Sequence, residues 1–253
     1  MKPIYKNLLW IGIFSIAMGF LESAVVIYLR KLYYPAGFQF PLTVIPPDIA
    51  LIEFLREAAT VIMLVGAGVL AGRNPSQRFA YFVFAFAIWD MFYYVFLKLV
   101  LNWPESLQTW DILFLIPIPW VGPVLAPCLV SLTMIVLAFL ILIHSDKGYH
   151  TQLKITDWLL LGCGSLTIVF SFCSDYLHCL FFLRGKVAQG EGTAGLFADI
   201  RNYIPLAFNW QMFGAGEMML LVAMVVYVLR LRKKEQIGIH SVECYSDFSD
   251  QRS

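Results

Sequence analysis

The residues of this chain with the capacity for chemistry are acids set into apolar runs. Glu22, Glu53, Glu57, Asp90, Asp175 and Glu217 each fall inside a long hydrophobic stretch, and Asp111 lies in a further apolar segment. Ionisable groups in such surroundings are costly, and they mark binding sites, proton or ion paths, or internal pairs. The basic residues at the same places are few: Arg56, Lys98 and, when protonated, His178. An acidic excess away from water must be met by protonation or by a bound cation or cationic ligand. The candidate set for substrate or cation binding is Glu22, Arg56, Glu57, Asp90 and Glu217.

Asp175 and His178 stand three apart, hence side by side on a helix face. They form the candidate catalytic pair, the carboxylate fixing the imidazole tautomer for acid/base work. The same spacing can also share a metal, as Glu-x-x-His does in carboxylate bundles. The remaining histidines, His144, His150 and His240, lie towards helix ends or in the tail. A haem or a histidine-rich zinc site therefore has no support. A metal here would have mainly carboxylate ligands, suiting Ca, Mg, Mn or a di-iron pair; the cofactor remains open. The competing account is mutual neutralisation, Arg56 with Glu53 and Lys98 with Asp90. No hydrolase motif offers another route, since Gly162-Cys163-Gly164-Ser165 is not a G-x-S-x-G elbow. Gly68 and Gly72, and the Gly162–Ser165 cluster, read as close helix packing.

The elements that must position these residues follow from composition. Of 253 residues, 60% are hydrophobic and 14% charged, and mean hydropathy is +0.73. Soluble domains run nearer 45–50% apolar and about 25% charged, so a water-soluble enzyme, a disordered chain and a disulfide-stapled module are excluded. With 18 basic against 17 acidic residues, nothing favours nucleic acid. The expected fold class is all-α: a polytopic membrane helix bundle of about six spans, each needing about 20 apolar residues. The spans are expected near residues 7–29, 49–72, 79–101, 123–144, 157–183 and 207–231. Asp48 and Ser76 are the candidate caps of the second and third. Pro117, Pro119, Gly122 and Pro123 interrupt the long run from Trp110 to His144, so a short interfacial or re-entrant helix is expected near 105–116. Residues 1–234 would form one transmembrane domain, and 235–253 a polar, disordered cytoplasmic tail. The first span is too long for a cleaved signal peptide, although Ala17-Met18-Gly19 resembles a cleavage site.

Lys2, Lys6, Arg73, Arg78, Lys147, Lys154 and the run Arg230–Lys234 would share one side, against Arg30, Lys31, Arg184, Lys186 and Arg201 on the other. The positive-inside rule then puts both termini in the cytoplasm, in a bacterial inner membrane. On that orientation the acids share the outer half, above greasy stretches such as Phe79–Ile88 and Met218–Leu229. The expectation is an acidic, outward-opening intramembrane pocket for a cation or small polar substrate, in a protein that is either a binder or a membrane-embedded enzyme. A proton- or cation-coupled secondary transporter and a structural subunit of a larger complex are the alternatives. The expected partners are the lipid bilayer and a membrane-protein partner or second copy.

Overall fold

The computed structural model describes residues 3–43, 45–115, 118–146, 152–188 and 203–250. The described residues form six helices and one hairpin. They are α1 (Pro3–Tyr33), α2 (Pro47–Ala71), α3 (Pro75–Leu101), strands β1 (Trp110–Phe114) and β2 (Trp120–Pro123), α4 (Leu125–Asp146), α5 (Ile155–Ala188) and α6 (Trp210–Asp250). All six helices are long and apolar enough to cross a membrane, and the chain is an all-α, multi-pass integral membrane protein. Its outward faces are greasy: Leu70 is 90% exposed, Leu32 74% and Ile62 70%. Such surfaces are stable only where lipid covers them.

The helix starts follow local chemistry, with two changes from expectation. Pro46 occupies the N-cap of α2 and Pro47 its first helical position, where proline's missing N–H costs nothing. Asp48 therefore lies inside the first turn, favoured by the helix dipole rather than acting as cap. For α3 the cap is Asn74, whose side chain accepts from the Gln77 N–H at 2.9 Å; Ser76 instead accepts from the Leu153 N–H at 3.3 Å. Asn102 ends α3 in the left-handed region at φ 52°, which asparagine tolerates. α6 runs on as helix from Trp210 to Asp250. Extending an existing helix needs no new nucleus.

The segments 110–115 and 118–123 also depart from expectation. In place of a short outer helix, β1 and β2 pair antiparallel, with Asp111 opposite Gly122 and Ile112 opposite Val121. Pro119 and Pro123 deny a helix its hydrogen bonds, and Trp110, Ile112 and Phe114 suit a half-buried strand.

α3 is central and packs against α1, α2 and α4, while α6 packs against α5 and α4. Two crossings are close because they carry glycine. A Cβ on Gly68 would meet Phe82 N of α3 at 2.7 Å, and one on Gly216 would meet Ile168 of α5 at 2.6 Å. The main core gathers Tyr81, Leu137, Ile141, Ile168, Phe172 and Tyr227 from α3 to α6. A smaller one joins α1, α2 and α3 through Met18, Leu64, Ala85 and Trp89. α3 meets α5 edge to face at Phe79 and Trp158. From that contact towards the hairpin the space between them stays partly open.

Candidate functional site

That opening is a cavity of about 270 Å³ bounded by α3, α4, α5, the hairpin and Leu220 of α6. From α3 come Phe79, Phe82, Val83, Phe86 and Asp90, a single stripe at helical spacing. α4 supplies Val130, Ser131 and Met134, α5 supplies Ser165, Val169 and Phe172, and the hairpin closes one end with Leu113, Phe114 and Trp120. Asp90 is the ionisable group among these lining residues, and it is 9% exposed. The Ser131 hydroxyl donates to its Oδ2 at 2.8 Å. Asp90 lies about 16 Å from the C-terminal end of α3, at 1.5 Å per residue.

The other acids do not join Asp90 in one pocket; each is answered locally. Arg56 of α2 ion-pairs with Glu22 of α1 at 2.5 Å and with Glu53, one turn back, at 2.8 Å. The Thr60 hydroxyl donates to Glu22 at 3.5 Å. Glu57 accepts the backbone N–H of Leu115 at 2.9 Å, tying α2 to the end of β1. Glu217 of α6 accepts from the Thr133 hydroxyl of α4 at 2.8 Å, and its other oxygen is buried without a partner among the described residues. Asp175 accepts from the Tyr203 hydroxyl at 2.6 Å and from the Leu206 N–H at 3.4 Å. His178 is exposed, and no hydrogen bond or ion pair joins it to Asp175 among the described residues.

Asp111 is buried in β1 and pairs with Arg30 of α1 at 3.1 Å. The Arg30 guanidinium lies over Trp103 at 3.6 Å and near Phe38 at 4.4 Å, a cation–π arrangement. Burial pushes the Asp111 carboxyl up to about 6, with Arg30 acting in the opposite direction. Lys98 does not serve Asp90: its Nζ donates to the carbonyls of Pro104 at 2.9 Å and Asn102 at 3.4 Å. At the far end Arg230 of α6 grips Asp157 of α5 with both arms, one at 3.0 Å.

Mutual neutralisation thus accounts for Glu22, Glu53, Arg56 and Asp111, and hydroxyl or amide donors for Glu57, Asp175 and one oxygen of Glu217. Among the described residues, no three His, Cys, Asp or Glu side chains converge to hold a metal ion. Sequence reasoning missed Ser131, Thr133, Tyr203 and the cavity wall. The wall's signal was present: Phe79, Val83, Phe86 and Asp90 follow one another at i+3 or i+4, so the apolar half of α3 and its acid share a face. Compared with family models, with curated proteins and with solved structures, the chain returns no match.

Proposed function

We propose that this protein binds a compact, largely apolar ligand inside the membrane, in the cavity between α3, α4, α5 and the hairpin, with Asp90 and Ser131 as its polar anchor. The observation that carries this reading is the placement of a buried carboxyl on the wall of an otherwise apolar cavity. Ligand sites are commonly of this kind, apolar with a few convergent polar groups. Glu22, Arg56, Glu57 and Glu217 then serve the bundle, holding α1 to α2, α2 to the hairpin and α4 to α6. Asp175 anchors the segment before α6 through Tyr203. The membrane is taken to be a bacterial inner membrane with both termini cytoplasmic.

The test is what the protein carries out of the membrane. Ser165 lines the cavity yet is exposed, so Ser165→Phe fills the cavity without overpacking a closed core. Extracts of the purified protein, analysed by mass spectrometry, should contain a small molecule near stoichiometric amount that the Ser165→Phe protein lacks. Identical extracts from both proteins would sink the proposal.

A further inference from the structure

We propose that the ligand of this cavity is an organic cation, an amine or quaternary ammonium group on a compact apolar body. This rests on the cavity reading above and adds the ligand's charge. The starting observation is that Asp90 is nine-tenths buried, accepts from Ser131, and forms no ion pair among the described residues. Among the described residues, the cations of the neighbouring helices α1, α2 and α3 that enter the bundle are engaged elsewhere. Lys98 donates to carbonyls beyond the end of α3, Arg30 is held by Asp111, and Arg56 is shared by Glu22 and Glu53. The charged residue within electrostatic reach of Asp90 is another acid, Asp111. A carboxylate so placed stays neutral or takes a cation from outside the chain.

The walls favour the second course. Phe82, Phe86, Phe114, Trp120 and Phe172 form an unbroken run of ring contacts, at centroid distances of 6.2, 6.1, 5.3 and 6.2 Å. Aromatic faces attract cations electrostatically, tryptophan best, and most strongly where water is excluded. One carboxylate with several rings answers both parts of an alkylammonium group, its charge and its weakly solvated methyl or methylene shell. A neutral molecule of the same shape would fill the volume and leave the carboxylate unanswered. An anion would meet Asp90 with Asp111 behind it. The volume of about 270 Å³ lies just under the usual ~300 Å³ lower bound for ligand pockets, which limits the enclosed part to a compact head group.

Choline and its uncharged carbon isostere 3,3-dimethylbutan-1-ol are the probes, titrated calorimetrically into the detergent-purified full chain. Wild type should bind choline at least tenfold more tightly than the alcohol. Asp90→Asn should erase that preference, Trp120→Leu should weaken choline several-fold more than the alcohol, and Ser165→Phe should lose both ligands. Size-exclusion and melting profiles confirm that each variant is folded. Equal affinity for the two probes, or a choline preference kept by Asp90→Asn, overturns the charge assignment. If binding is nonetheless lost in Ser165→Phe, the cavity reading stands without it. Binding undiminished in Ser165→Phe overturns both. Failure of wild type to bind either probe also overturns the cation assignment, and the co-purification experiment then decides the cavity reading alone.

Discussion

Arg56 and Asp90 show how differently two charges inside one bundle behave. Arg56 joins two helices by holding Glu22 and Glu53 together, so its removal strands two carboxylates. Breaking a fully buried pair costs about 3–5 kcal/mol. The Arg56 side chain is 21% exposed, and Arg56→Met should therefore cost less, on the order of 2–3 kcal/mol. The melting temperature in detergent should fall by roughly 5–10 °C, and adding Glu22→Gln and Glu53→Gln should recover most of that loss. An Arg56→Met protein that melts like wild type would show that the triad contributes nothing to stability. Asp90→Asn removes a carboxylate that no cation answers among the described residues, and it should melt at or above the wild-type temperature. The acids themselves were legible from their apolar surroundings, and so was Glu53–Arg56, which is one helical turn. Partners such as Ser131 for Asp90 were not, because they depend on which helices become neighbours. Assigning Lys98 to Asp90 failed on distance: eight residues span about 12 Å of helix, and the lysine finds carbonyl oxygens closer by.

Among the elements, the hairpin both closes the cavity and is held from two sides. Glu57 accepts its Leu115 N–H, and Arg30 pairs with its Asp111. Burial raises the Asp111 carboxyl from 3.8 to about 6 in the folded protein. A raised folded-state value means that the closed hairpin binds its proton more tightly than an opened one. The resulting stabilisation is complete below about 3.8 and is lost as the pH rises through about 6. Its full size is on the order of 2–3 kcal/mol, at about 1.4 kcal/mol per unit. Hydrogen exchange at Ile112 and Val121, corrected for intrinsic rates, should show more protection at pH 4.5 than at pH 7. Asp111→Asn should flatten that difference; the same pH dependence in the variant would assign it to another group. The hairpin was the element least legible in the sequence. Ile112-Leu113-Phe114-Leu115 is a short apolar run, and such runs carry no periodicity that separates a strand from a buried helix. The six spans were legible because length and hydropathy suffice to define them.

The whole molecule has two unlike ends, and their charges bear on its orientation. Among the described residues, six spans bring the start of α1 and the last turns of the α6 span to one end, where Arg73, Arg78, Lys154 and Arg230 also lie. Arg30, Lys31 and Lys98 lie at the hairpin end, and Lys98 narrows the contrast read from sequence by capping α3 there. The balance still favours the terminal end, and it is the number of lysines and arginines flanking the spans, not net charge, that sets orientation. Arg230 therefore counts although Asp157 neutralises it. The terminal end should face the cytoplasm, with the aromatic loop around Phe38, Trp103 and the hairpin facing outward. Reporter fusions in a bacterial host test this directly. Alkaline phosphatase joined after Gln39 should be active, since it folds only outside the cytoplasm, while the same enzyme joined after Arg232 should be inactive. Green fluorescent protein at Arg232 should fluoresce. The reverse pattern would turn the molecule over, placing the hairpin and the aromatic loop on the inner face.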